Sequence, residues 1–347
     1  MKKHAFSNTV IGLAIALAVV FISAVAIGAV RISPGAIIKI LLHSAGILVR
    51  NMPAEKYTAI VMFVRMPRVV AAMLVGASLA TAGAATQGLF RNPMASPDIL
   101  GISAGGSLGA VIAIHTGLML VNVNLFPLAT IAGSLIASFS IYAIASYRGV
   151  TSLLFVVIAG MAISSFLNGL ISAVLLFSKE YEISQFIFWT MGGLDGRRWD
   201  QILLILPFLL PALGGLFFFS RELNILMLGE ENALSTGINV ELVKKSVLSL
   251  AGIVTGLSVA ISGTIGFVGL LIPHFFRLLF GSDYRKLMPL SALGGAVFLV
   301  LCDLLGRSII PPFEIRVGII TSVIGAPYLI FLIIRYQRLG IENAANI

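Results

Sequence analysis

Charge is what this sequence has least of. Only 11% of its 347 residues are Asp, Glu, Lys or Arg, against about 25% in soluble domains, which excludes a soluble globular chain. No polar block is long enough to fold apart, so residues 1–347 read as one transmembrane domain with mean hydropathy +1.06. The single cysteine, Cys302, excludes an intramolecular disulfide and reads as a small packing residue in an apolar run. There is no Walker A pattern, HExxH, CxxC or serine-centred nucleophile elbow. The four histidines, His4, His43, His115 and His274, are scattered without metal-ligand spacing, so no metal site is assigned. No constellation of an enzyme active site stands out.

Apolar runs near 20 residues are what the sequence has in abundance, each long enough to cross about 30 Å of hydrocarbon as a helix. They predict an all-α membrane protein of about ten spans, roughly 9–30, 66–90, 94–115, 125–147, 151–178, 201–220, 245–265, 267–280, 287–305 and 316–335. An even number puts both termini on one side. The basic start, Met1-Lys2-Lys3-His4, precedes an apolar run too long for a signal peptide and reads as an uncleaved first span. Between the first two spans, Ser33-Pro34 is a good helix start, and the stretch to Leu42 is too short to cross, which suits an interfacial helix.

Arg91 to Ala110 gathers two prolines, four glycines, three serines, an arginine and an aspartate. Loosened backbone cannot face lipid. The segment is therefore either part of a watery path or a turn followed by a slim, closely packed helix.

Net charge is +9, and the cations sit mostly between apolar runs, where headgroups or partner proteins are their natural counterparts. With both termini inside, Lys2, Lys3, Arg91, Arg148, Arg221, Lys244, Lys245, Arg285, Lys286, Arg335 and Arg338 fall inside. Arg31, Arg50, Arg65, Arg68, Arg197, Arg198 and Arg307 fall outside. So many outer arginines imply either an acidic partner there or a reversed orientation. The largest polar interruption, Arg221 to Lys245, contains a short helix, Leu228 to Gly237, with acidic residues first and glycine at its end. It reads as a docking element or as a solvated connector. Asp303 and Glu314 are candidate proton-coupling groups, although Arg307, four residues after Asp303, offers a local ion pair.

Several blocks resemble, in order, those of the FecCD-type permease subunits of ABC importers for ferric siderophores, haem and vitamin B12. They are Arg65-Met-Pro-Arg68, Gly83 to Met94, Pro97 to Gly105, Trp189-Thr-Met-Gly-Gly193, Leu228-Gly-Glu-Glu231, Gly263 to His274 and Gly318 to Pro327. The resemblance implies a type II, vitamin B12 importer-like fold with ten helices per subunit. It implies a homodimer in the cytoplasmic (inner) membrane with both termini cytoplasmic and a pathway along the dimer interface. The implied partners are two cytoplasmic ATPase subunits, which bind MgATP, and a soluble substrate-binding protein outside. No cofactor and no ATPase site are expected in this chain.

By the same resemblance, Arg65, Arg68 and Arg307 would receive acidic residues of the binding protein. Leu228, Gly229, Glu230, Glu231, Ala233 and Gly237 would form the coupling helix that seats on the ATPase. Asn92 and Met94 in one loop, and Thr151 and Ser152 after Arg148-Gly149 in another, would close the cytoplasmic gate. Arg91 to Asp98 becomes a cytoplasmic turn and the glycines beyond it a slim helix. In Glu314-Ile-Arg316-Val-Gly318, arginine stands where the family often has proline. An ion-coupled secondary transporter using Asp303 or Glu314 is the rival reading.

Overall fold

The computed structural model describes residues 2–28, 30–47, 51–97, 101–122, 124–147 and 150–345. Arg50, Asp98 to Leu100 and Arg148-Gly149 lie outside the described residues, as do the side chains of Lys2, Lys3, Arg335 and Arg338. Helices α1 (Lys2–Ala26), α2 (Pro34–Ser44) and α3 (Glu55–Ala59) lead through a π-helical turn, Ile60–Arg65, into α4 (Met66–Leu89). Next come α5 (Ile102–His115), α6 (Leu118–Val121) and α7 (Leu125–Ala145). A small hairpin of β1 (Ser146–Tyr147) and β2 (Val150–Thr151) precedes α8 (Leu153–Leu176) and α9 (Glu180–Thr190). The chain continues through α10 (Trp199–Phe218), α11 (Ser220–Leu226), α12 (Glu230–Ser235) and α13 (Val240–Ser262). It ends with α14 (Val268–Phe280), α15 (Tyr284–Gly306) and α16 (Val317–Ala345).

Among the described residues seven helical stretches are long and apolar enough to cross a membrane, and three shorter apolar ones (Ile102–His115, Val268–Phe280, Val317–Leu332) bring the number to the ten anticipated. A 23-residue helix such as α13 is about 35 Å long, enough for a bilayer core.

The centre of the bundle is α4, packed against α13, α14 and α15. Apolar packing in lipid gains nothing from excluding water, so close approach of small residues must do the holding. Gly76 on α4 and Gly295 on α15 face each other so closely that a Cβ on either would overlap the other's carbonyl oxygen. The Gly-rich α5 packs on α7 in the same way, through Gly105 and Gly133. Within Arg91 to Ala110, residues 91–97 thus hold a turn and residues 102–110 belong to a slim packed helix.

Ser33 caps α2 as expected, its Oγ accepting from the Ala36 N–H at 3.3 Å. The acidic connector helix is also present: α12 begins after Gly229 (φ 109°) and ends before Gly237 (φ 80°). Both angles lie where only glycine is comfortable.

Three features depart from the sequence reading. The second span is already helical from Glu55, and the π-turn ends at Arg65. The fourth and fifth spans stop short of each other at the β-hairpin, whose register pairs Ser146 with Thr151 and Tyr147 with Val150. Between the fifth and sixth spans stands a further helix, α9, to which the span reading assigns no element. Its Glu182 carboxylate accepts the Lys179 N–H at 3.2 Å, and acidic residues in its first turn suit the helix dipole.

Candidate functional site

Among the described residues the ion pairs of the bundle gather at its two ends. At one, the arginine end, α1 finishes at Ala26, leaving its last carbonyls without partners along the helix. Arg65, 6% exposed, donates through Nη1 to Val25 O at 2.6 Å and Ala26 O at 2.9 Å. Its Nη2 reaches Val30 O. Arg307 donates to Ala24 O at 2.6 Å and Ile27 O at 3.0 Å. Two arginines thus cap one helix, where the negative end of its dipole favours them.

Arg68 grips Asp303 with Nε (2.9 Å and 3.1 Å to the two oxygens) and Nη2 (2.9 Å), while its Nη1 reaches Glu314 at 2.8 Å. Asp303 is fully buried, and Arg307 Nε stands 3.5 Å from it. The four-residue Asp303–Arg307 pair is therefore real but secondary to Arg68.

All three arginines expected to receive acidic residues of a binding protein thus hold partners within the chain. Arg65 and Arg307 are spent on α1 carbonyls, and the Arg68 side chain is only 13% exposed. Glu314, 45% exposed, is the member of the cluster open to solvent. Asp303, offered above as an ion-coupling group, is held between two guanidinium groups. Arg316, the family departure, pairs with Asp195 and lies over the Phe188 ring, 5.5 Å from its centroid.

At the other end, the hairpin end, three segments meet at Thr151. The Glu241 carboxylate, in the first turn of α13, accepts the Thr151 N–H at 2.9 Å, the Thr151 hydroxyl, and Tyr142 OH at 3.2 Å. Lys244, one turn on and 5% exposed, donates to the Thr151 carbonyl at 3.1 Å and to Glu230 of α12 at 2.9 Å. One ammonium therefore joins the connector helix, the hairpin and α13.

The two predicted gate loops are placed differently. Thr151 is buried and Ser152 half-buried, so Thr151 anchors the hairpin. Asn92 is exposed and its Oδ1 accepts the Met94 N–H at 2.9 Å, closing a local turn. Among the described residues no hydrogen bond or ion pair joins that turn to Thr151 or Ser152. On the connector, Leu228, Glu231 and Leu234 are exposed, whereas Ala233 is buried and Glu230 turns inward to Lys244. Two exposed leucines on a polar connector suit a partner surface.

Sequence reasoning missed Tyr142, Glu241 and Lys244. The available signal was a glutamate and a lysine three residues apart on the first turn of an otherwise apolar helix. Among the described residues no group of three or more His, Cys, Asp or Glu could hold a metal ion.

This architecture has known counterparts. The chain is 42% identical to the cobalamin import system permease protein BtuC of Halobacterium salinarum, over 80% of this chain and 74% of that one. It is 38% identical to the hemin transport system permease protein HmuU of Yersinia pestis, over 79% and 83% respectively. A solved metal-chelate type ABC transporter in an inward-facing conformation superposes with a TM-score of 0.82 at 30% identity, covering 95% of this chain and 99% of that one. The FecCD transport family matches residues 16–335, and with the ten-helix bundle described above it is to this family of multi-pass membrane permeases that the chain belongs.

Proposed function

We propose that this chain is the permease subunit of an ATP-driven importer of metal chelates (ferric siderophore, haem or cobalamin), working by alternating access. The observation that carries this reading is the Lys244 junction. A short helix with exposed Leu228, Glu231 and Leu234 is wired through a buried ammonium to the hairpin that begins α8. A push on α12 from outside the bundle would be felt at Thr151, which is the arrangement a separate motor requires.

In this reading two copies of the chain form the pathway in the cytoplasmic membrane, with both termini and the hairpin end cytoplasmic. Two ATPase subunits, binding MgATP, seat on α12, and this chain hydrolyses nothing itself. Leu228, Gly229, Glu231 and Gly237 shape the docking helix; Ala233 packs it down and Glu230 ties it to Lys244. Thr151 and Ser152 move with the hairpin as the gate, and Asn92 and Met94 form a neighbouring rim. A soluble binding protein docks at the arginine end. There Arg65, Arg68 and Arg307 act by fixing the end of α1 and the stretch around Glu314, which form the docking rim.

The test is transport in proteoliposomes holding this chain, its ATPase and its binding protein. ATP-dependent accumulation of hemin or cyanocobalamin is expected, abolished when either partner is omitted. Accumulation driven by a proton gradient alone, lost in Glu314→Gln, would instead establish the secondary transporter.

A further inference from the structure

The arginine end also holds a cavity of about 300 Å³ between α9, the loop following it and the start of α16, a volume at the lower end for ligand sites. Its polar lining includes Gln185, Trp189, Asp195, Arg197, Gln201 and Arg316. Two guanidinium groups share this space with one carboxylate, and Arg316 takes that carboxylate. Among the described residues no hydrogen bond from the half-buried Arg197 guanidinium is seen, and its Nε is buried without a partner. The Trp189 indole N–H is likewise buried and unpartnered.

An unmet buried donor costs free energy, and one carried on a cation costs more. Burial pushes the Arg197 guanidinium down from its ordinary value; Asp195 opposes that and Arg316 adds to it. The cavity thus has donors in excess and one positive charge in excess. What completes it is a group with acceptors only and a negative charge, shaped for the flat fork of a guanidinium.

We propose that this cavity is a carboxylate subsite, engaged through Arg197 and the Trp189 N–H, for cargo bearing free carboxylates. Describing the ligand as cargo rests on the importer reading; the site itself does not. Chelates with free carboxylates, such as hemin with its propionates, are then favoured over cobalamin, which carries amides in their place.

The chain has two tryptophans, and Trp199 is occupied elsewhere, its indole donating to Met62 O at 2.7 Å. Trp199→Phe therefore leaves Trp189 as a fluorescent reporter inside the site. Purified full-length W199F protein is titrated with sodium citrate at constant ionic strength, with sodium chloride and sodium phosphate as controls. We expect a saturating change in Trp189 emission with citrate alone. Arg197→Gln should raise the half-saturation at least about tenfold. Arg197→Lys, which keeps the charge but not the fork, should fall between. Asp195→Asn should shift it the opposite way, to tighter binding.

A response that is linear, equalled by chloride, or moved in the same direction by Arg197→Gln and Asp195→Asn would overturn the proposal. Saturation by phosphate but not citrate would overturn the carboxylate assignment. No citrate response, together with weaker binding-protein capture by Arg197→Gln, would overturn it in favour of an acidic side chain from that partner. Intact citrate binding in a protein that transports no chelate would sink the importer reading and leave the subsite standing.

Discussion

The arginine end and the hairpin end use the same chemistry for different purposes. Each holds buried basic side chains satisfied by carboxylates and backbone carbonyls. At the arginine end the partners sit on α1, α4 and α15, which pack directly on one another. Those bonds tighten a contact that already exists. At the hairpin end Lys244 and Glu241 reach across to two short segments, α12 and β2, that contribute little packing of their own. There the polar bonds are themselves the connection. The contrast continues in the long helices: α13 has 72% of its membrane window buried inside the subunit and α8 only 22%. Buried polar groups in packed helices set a scaffold, and the same groups between loosely packed segments can transmit a displacement.

The largest effect is expected from breaking the scaffold. Asp303→Asn leaves Arg68 and Arg307 facing each other without their shared anion. Removing one partner of a buried pair costs about 3 kcal/mol or more, so thermal unfolding in detergent should drop by many degrees. With binding protein in excess, so that a looser docking rim does not limit, transport per surviving molecule should stay normal, because no moving contact is touched. Loss of transport with unchanged thermal stability would collapse the distinction between the two ends and return Asp303 to the list of coupling groups.

Lys244→Met makes the complementary break. It removes the ammonium that links Glu230 to the Thr151 carbonyl while keeping the volume that packs. Chelate uptake should fall about tenfold while ATP hydrolysis by the assembled complex persists, a coupling loss on the usual allosteric scale. Equal losses of uptake and hydrolysis would mean that Lys244 merely holds the ATPase on. Thr151→Val is the milder version, since it deletes one hydroxyl and leaves the backbone N–H and carbonyl bonds in place. It should cost about 1 kcal/mol, seen as a several-fold slower uptake with hydrolysis again retained.

The sequence disclosed whatever is local. The ten apolar runs, the Ser33 cap, the acidic start of α12 and the glycines that bound it each depend on residues a few positions apart. The pairings that distinguish the two ends do not. Arg68 and Asp303 lie 235 positions apart and Thr151 and Glu241 lie 90 apart, so no window reveals that one guanidinium faces a carboxylate instead of a partner protein. A charge at the end of a span, whichever side it lies on, can equally be turned inward onto a helix end. The π-turn before Arg65 is invisible for the same reason: it sits where that side chain meets the α1 carbonyls. Helix α9 is legible in principle, since Glu182 stands three residues after Lys179, but it is too polar to register in a hydropathy pattern.

Glu182 supplies the smallest and most local contrast. It lies on α9, beside the cavity at the arginine end, and pairs with His115 at the end of α5 at 3.0 Å. The hydrogen bond with His115 holds its carboxyl below the ordinary value of 4.5; burial opposes this, and the Lys179 N–H adds to it. A carboxyl depressed in the folded state contributes stability that is fully present above its unfolded pKa and is lost as pH falls through the folded one. The attachment of α9 should therefore be constant down to about pH 5 and loosen progressively below pH 4.5. Amide hydrogen exchange across Glu180–Thr190, corrected for intrinsic rates, reads this directly. Glu182→Gln should show the looser exchange at every pH and no acid-dependent step. The exchange of α13 should be the same in both proteins at each pH, because its attachment is made by packing and by the hairpin junction, neither of which involves Glu182. A change in α13 exchange caused by Glu182→Gln would mean that the bundle responds as one body and that α9 is no separate element.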